Sequence, residues 1–496
     1  MDGSPAEIKP FAYPGRWILG MALLFAAVHA AYYALGITFN RKTLIEVMHF
    51  LDPELLRANL LQSLWYLHIQ PPLLNLFTGL VLKITPEATW LFQAIFLALG
   101  FILYLSTFFL QLRLGVNQAL AALLSTLFMA SPSFLLWEHF LFYTMPCATL
   151  LALAAVLLFD VLDRGRTWAI AGFFLALFLL CGMRSMFHLG YFALLWIALA
   201  ILSRKHRKRV LLIGLLPFLV LFAGYFKNLL LFHEFNTCTF FEKNLWIMTA
   251  GNMGWDEKNE WVREGKLSPL SLVNRWASLD AYPPEFRKVP PRFAHVPALT
   301  QTHKSTGAVN YNHYGNIGIC NIYGKDARYV LFHRPKAFLA ATAMSWYRYF
   351  VSSSALPVSP ENQQHIKPII ACYDYLFYGK WPFSRWLPQA FLDKAGYPPY
   401  LFLLLGLPLV LAYGLYRLLR PNAGPCPLNK VQHLVVLFLC FNILVVAVLG
   451  CTFDFHEAAR YRFSTDAFSL ALLGLLLTAA FARKERSTPP QETPSP

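Results

Sequence analysis

The stretch Pro71-Pro-Leu-Leu-Asn-Leu-Phe-Thr-Gly-Leu-Val-Leu-Lys83 decides how the rest of the chain is read. It is apolar, but only about 13 residues long, well short of the roughly 20 that a helix needs to cross a hydrocarbon core about 30 Å thick. Counted as a crossing, it would exchange the two membrane faces for every later loop. Read as re-entrant or interfacial behind its paired prolines, it leaves both ends of the preceding loop on one side.

Outward from it, longer apolar runs recur at roughly 17–37, 88–110, 117–136, 140–160, 167–183, 186–203, 210–232, 398–419, 430–450 and 466–483. A chain of 496 residues that is 57% hydrophobic and 14% charged, with a mean hydropathy of +0.46, has the bilayer as its natural solvent. The first run, Ile18 to Leu35, lacks a small-residue cleavage site and is followed by many more, so it reads as a retained helix.

Ten crossings can be tested against the positive-inside rule. One face then collects sixteen basic residues: Lys9, Arg16, Arg113, Arg164, Arg166, the five of Arg204–Arg209, Arg417, Arg420, Lys430, Arg483, Lys484 and Arg486. The other has seven in its short loops: Arg41, Lys42, Arg57, Lys83, Arg184, Arg460 and Arg462. The basic face is cytoplasmic, and the polar stretch 233–330 lies outside. The formal charge of +16 thus marks topology, not a nucleic-acid surface, which would gather its Lys and Arg into a soluble patch. Residues 334–354 contain an apolar run interrupted by Arg348. They either lie in the interface or cross, with a return through about 368–390, and both keep the parity.

The expected fold is an all-α polytopic membrane protein of ten to twelve transmembrane helices, with an extracytoplasmic soluble domain inserted mid-chain. Its parts are a cytoplasmic N-terminus (1–16), a membrane module (17–232) with a first outer loop (38–87), the soluble domain (233–330), an interfacial or membrane-associated segment (331–397), C-terminal helices (398–483) and a disordered cytoplasmic tail (484–496). The eight cysteines have no Cys-x-x-Cys pair or zinc-like spacing, and Cys238 and Cys320 are a candidate disulfide if the soluble domain meets an oxidising compartment.

Five polar patches converge on the outer side. They are Glu46, His49, Asp52 and Glu54 with His68-Ile-Gln70 before the prolines; Trp137-Glu138-His139; Arg184 and His188; a run reaching Glu242-Lys243-Asn244; and Asp454-Phe-His456-Glu457-Ala-Ala-Arg460-Tyr-Arg462. Ionisable groups at the mouth of a bundle cost desolvation energy, so they are paired, functional or both. Glu138 and His139 also fit a polar helix end. Glu457 and Arg460 fit an i, i+3 salt bridge. Arg184 interrupts a long apolar stretch and is the most expensive cation. The prolines fix an extended backbone that presents His68 and Gln70 as a wall, while Arg and His suit an anionic phosphate. Walker, GxGxxG, HExxH and GxSxG patterns are absent from the sequence, so nucleotide hydrolysis, dinucleotide chemistry and zincin chemistry lack support.

The acidic first loop, the element His68-Ile-Gln-Pro-Pro-Leu73, the short-looped helices and Glu457-x-x-Arg460-x-Arg462 together resemble the GT-C superfamily of membrane glycosyltransferases, in particular the protein O-mannosyltransferase and aminoarabinose transferase group. The resemblance implies a bacterial inner-membrane enzyme with both termini cytoplasmic. Such an enzyme takes a sugar from a polyprenyl-phosphate donor and passes it, with inversion, to a glycan, lipid or protein acceptor. By position Asp52 is the implied base, with Glu46 and Glu54 behind it. His68, Gln70, Glu138, His139, His188, Glu242 and Lys243 would shape the substrate pocket, and Arg184, Arg460 and Arg462, beside Glu457, would hold the donor phosphate. A divalent cation, Mg or Mn, could assist, although no ligand spacing demands one. The chain departs from the pattern in three places: its carboxylates are split as Asp52-Pro53-Glu54, its proline element begins His-x-Gln, and its soluble domain sits mid-chain. Competing readings are a lipid or glycan transporter, which needs charged midplane residues and inverted halves, and a non-catalytic envelope-assembly protein.

Overall fold

Each expected apolar run is met by a helix in a computed structural model, which describes residues 15–85, 87–380, 393–422 and 427–487. Among the described residues six helices are long and apolar enough to cross a membrane: Gly15–Ala34, Thr89–Arg113, Thr144–Arg164, Arg204–Phe232, Leu401–Leu419 and Lys430–Phe453. Three shorter apolar helices, Thr167–Met183, Leu189–Leu202 and Asp466–Ala482, occupy the other expected positions. The run at 117–136 is two helices, Gln118–Met129 and Pro132–Glu138, bent by 59°. The bend has a local cause: Ser131 caps the second helix through its hydroxyl, and Pro132 takes its first turn, where no amide donor is needed. Among the described residues there is no strand, so the protein is all-α. Expectations at 1–14, at 381–392, at Cys426 and in the tail from 488 lie outside the described residues.

Pro71 to Lys83 forms the helix Leu73–Ile84 of 12 residues, about 18 Å long at 1.5 Å per residue and too short to span. It is tied to the first loop instead. The Asn75 amide accepts from the Leu51 N–H at 2.8 Å and donates to the His49 carbonyl at 2.9 Å, while Lys83 Nζ donates to the Arg57 carbonyl at 2.7 Å. Gly79 lies so close to Leu60 that a Cβ there would clash, which lets this helix press flat against the loop.

The inserted stretch is built of short helices and turns after the chain leaves helix Arg207–Phe232 through His233, a left-handed residue at φ 61°. Its interior is one cluster around Trp246, Leu270, Leu279 and Tyr323 and a smaller one around Phe293, Val296 and Leu299. Cys238 and Cys320 are both free, which corrects the disulfide expectation. Each thiol is packed among apolar side chains of the main core, and burial raises their pKa values to about 11 and about 12, where thiols are inert. The helix Pro335–Tyr349 follows; it has 15 residues.

Candidate functional site

A cavity of about 1160 Å³ opens where the first loop, the inserted stretch and the last loop meet. Thr43, Glu46, His49 and Gln70 come from the first loop; Trp137, Phe142, Tyr143, Arg184 and His188 come from helix ends; Asn236, Glu242, Asn244, Arg275, Trp276 and Tyr311 come from the insertion; and Asp454, His456, Glu457, Arg460 and Tyr461 come from the last loop.

Arg184 ends helix Thr167–Met183, so its side chain leaves the bundle at the cavity. Its guanidinium lies 4.6 Å from the centre of the Tyr143 ring and 4.0 Å from that of Tyr461. Stacking of this kind suits a planar, weakly hydrated cation. The residue is only 4% exposed, its Nη1 has no hydrogen-bond partner, and among the described residues it makes no ion pair. Tyr461 is held in place by its hydroxyl, which donates to Asp454 Oδ2 at 2.5 Å. Asp454 in turn accepts the His456 and Glu457 amides at 2.8 and 3.0 Å. It is therefore a brace for the loop.

Arg460 pairs with Glu457, and its guanidinium covers Phe142 at 4.7 Å and Tyr143 at 5.2 Å; its buried Nε has no partner. The Glu457 side chain is 46% exposed, and it lines the cavity, so it is open to a water-sized molecule while surrounded by protein. Burial raises its pKa against the opposing pull of Arg460. Arg275 stacks on Trp276 at 4.7 Å and has no ion pair among the described residues; burial lowers its pKa to about 10, which leaves it protonated at neutral pH. Arg348 is bonded to the carbonyls of Lys394 (2.7 Å), Ala395 (3.0 Å) and Phe455 (2.7 Å) and braces the wall. His49 is kept neutral: burial, then Arg460, Arg184 and Lys304, push its pKa well below 6.5. Its Nε2 lies 3.4 Å from the Tyr143 hydroxyl and its Nδ1 has no partner. The cavity thus carries two unpaired guanidinium groups, Arg184 and Arg275, with neutral imidazole and phenol beside them, and it can take an anion.

Of the residues expected from sequence, Glu46, Gln70, Arg184, His188, Glu242, Glu457 and Arg460 line this cavity. Glu242 does so while chelated by Arg328 at 3.0 and 2.9 Å. The geometry does not bring the other seven to it. Asp52 caps helix Pro53–Ala58 by accepting the Glu54 amide at 2.9 Å, and its carboxylate is occupied by the Ser305 amide and hydroxyl at 2.6 Å each. Glu54 sits exposed on the first turn of that helix. His68 is fully buried between Thr239 Oγ1, 2.9 Å from Nδ1, and the Asn312 carbonyl, 3.1 Å from Nε2. A carbonyl only accepts, so Nε2 carries the proton and Nδ1 accepts from the threonine.

Glu138 is buried against His29 in a space that Gly100 leaves open, and His139 donates to the Leu135 carbonyl at 2.9 Å. Lys243 is fully buried beside the rings of Phe240, Tyr311 and Tyr323, at 5.0, 5.7 and 5.7 Å, and donates to the Arg275 carbonyl at 3.3 Å. Arg462 holds the carbonyls of Tyr349 and Val351 at 2.6 and 2.7 Å and pairs with Asp466 at 3.2 Å. Sequence reasoning misses Tyr143, Arg275 and Tyr461 as site residues; the one visible signal was the aromatic run Phe140-Leu-Phe142-Tyr143 directly after Glu138-His139. Among the described residues no three His, Cys, Asp or Glu side chains are grouped to hold a metal ion.

No family model matches the chain, and no curated protein matches it. It is similar to a solved structure, the crystal structure of ArnT from Cupriavidus metallidurans in the apo state, with 15% identity and a TM-score of 0.29 over 93% of this chain and 78% of that one.

Proposed function

We propose that the protein is a GT-C-type membrane glycosyltransferase that moves a sugar from a polyprenyl-phosphate donor to an extracytoplasmic glycan, lipid or protein acceptor, with inversion. The observation that carries this reading is Arg184, a buried, unpaired guanidinium held between Tyr143 and Tyr461 at the cavity wall. Such a group is costly unless an anion completes it. A donor phosphate would do so, with Arg460 Nε beside it. As the acceptor hydroxyl attacks the anomeric carbon, the bond from that carbon to the phosphate oxygen breaks. The lipid phosphate leaves with growing negative charge, which a fixed guanidinium in a water-poor site stabilises.

The attacking hydroxyl needs a base within hydrogen-bond reach. Glu46 is the first-loop carboxylate that faces the cavity, and among the described residues it has no ion pair. We assign it the base role ahead of Asp52, whose oxygens are already occupied. The test is transfer from labelled polyprenyl-phosphate sugars by purified protein. Glu46→Gln should lose about a hundredfold or more in turnover, and Arg184→Gln should lose at least as much in kcat/KM. Transfer by Glu46→Gln at the wild-type rate removes Glu46 from the role, and lipid movement without transfer supports a transporter instead.

A further inference from the structure

We propose that a second, smaller cavity in the inserted stretch binds an anionic saccharide, a sugar bearing phosphate or carboxylate, as the acceptor side of the transfer; this deepens the glycosyltransferase reading and rests on it. The cavity has a volume of about 380 Å³, and Trp246, Asn252, Trp255, Lys258, Arg275 and His456 carry its chemistry. That volume is near the lower end of ligand pockets, roughly 300–1,000 Å³, so it suits a sugar headgroup better than a lipid chain.

The lining has the three things a charged sugar needs. Trp255 is 60% exposed and offers an indole face to the C–H side of a pyranose. Asn252 Nδ2 is buried with no hydrogen-bond partner, a donor waiting for a hydroxyl. Lys258 is 6% exposed, with its ammonium 5.0 Å from the Trp246 ring, and among the described residues that ammonium makes neither a hydrogen bond nor an ion pair. The contrast with other buried lysines is informative. Lys243 and Lys304 each donate to backbone carbonyls, so the fold can satisfy the ammonium of a buried lysine and does not do so here. Among the described residues no carboxylate lines this cavity, and Arg275 adds a second cation without an ion pair. An ammonium that the cavity reaches and that no carboxylate or carbonyl compensates, beside an exposed indole, favours an anion joined to a ring over either alone.

The position ties the pocket to the reaction. Ile247, Arg275, Phe455 and His456 line both cavities, so they form a shared wall. A saccharide held at Trp255 and Lys258 would reach that wall and present a hydroxyl towards the donor.

The experiment uses the full-length protein in nanodiscs, titrated with glucosamine phosphate, glucuronate, glucose and inorganic phosphate, and followed by tryptophan fluorescence and calorimetry. The two charged sugars should bind more tightly than glucose or phosphate. Lys258→Gln should weaken them about tenfold or more, the loss of one charge-assisted contact, Trp255→Ala should weaken them about tenfold through the lost ring stacking, and Lys258→Arg should restore most of the affinity. Trp255 is largely exposed, so its replacement leaves the fold standing. Equal binding by these variants and wild type, or phosphate binding as tightly as the phosphosugar, overturns the proposal. Charged-sugar binding that needs Lys258, in a protein that transfers nothing, leaves this site standing and defeats the transferase reading. Transfer unchanged by both substitutions does the reverse.

Discussion

Lowering the pH from about 7.5 to about 5 loads one side chain in particular, His68. Its pKa falls from 6.5 to about 3, first because the ring is fully buried, partly offset by its bond to the Asn312 carbonyl. The folded protein therefore holds the imidazole neutral, with Nε2–H donating to Asn312 and Nδ1 accepting from Thr239. A group whose folded pKa is depressed contributes stability that is fully present above its unfolded pKa. That stability is lost as pH falls towards the folded value, here between about 6.5 and about 3. Each pH unit inside that window costs about 1.4 kcal/mol, so the drop to pH 5 removes about 2 kcal/mol from this residue alone. Other groups titrate in the same range, and the measured quantity is therefore a difference. His68→Gln, which cannot titrate, should be less stable than wild type at pH 7.5, and about 2 kcal/mol of that gap should close at pH 5. Unfolding monitored in detergent at both pH values, with hydrogen exchange at residues 66–70 and 310–316, reads it directly. Wild type and His68→Gln losing stability in parallel would refute the reasoning and return His68 to a ligand-facing role.

Asp52→Asn should cost about 1–3 kcal/mol, because a carboxylate that accepts three hydrogen bonds is replaced by an amide with one acceptor oxygen. Thermal melting should show the loss, while turnover per folded molecule stays near wild type. Ser305→Ala should reproduce part of that destabilisation. Gly100→Ala should destabilise by about 1–3 kcal/mol, because its Cβ would strike the buried Glu138 carboxylate; the double variant with Glu138→Ala should recover much of it in the same melt.

The helices were legible because their signal is local. Ten apolar runs with basic flanks need no knowledge of what packs on them, and even the break inside 117–136 is written as Ser131-Pro132. The brevity of Leu73–Ile84 was equally local. Of the expected residues that line the cavity, Arg184, Glu457 and Arg460 were legible as charges in apolar surroundings, and Glu46, Gln70, His188 and Glu242 as polar groups of the outer loops. Asp52, the implied base, and His68 stood beside them in the sequence as candidates, yet they turn the other way. What turns them is contact with Ser305, 253 residues further on, and with Asn312, 244 residues on, and no local pattern encodes such a pairing. The aromatic walls were hidden for another reason. Phe, Trp and Tyr make up 16% of the chain, so Tyr143 and Tyr461 are conspicuous only once Arg184 is seen between them.

The same long-range contacts change the meaning of the inserted stretch. A domain that merely hung between two membrane helices would leave the first loop to itself. Here the Thr302–Val309 turn holds that loop through Lys304 Nζ to the Val47 carbonyl at 3.0 Å, Thr306 to the Ile45 carbonyl at 3.1 Å and Ser305 to Asp52. Asn312 and Thr239 grip its far end at His68. Residues 45 to 52 include Glu46 and His49, so the insertion fixes the position of the one first-loop carboxylate that faces the cavity. It also supplies Arg275, Trp276 and Tyr311 to the opposite wall. Asp52 belongs to this anchoring and not to the cavity: its bonds to Ser305 are one of three ties between the turn and residues 45 to 52, and the two that flank Glu46, from Lys304 to Val47 and from Thr306 to Ile45, stand without it.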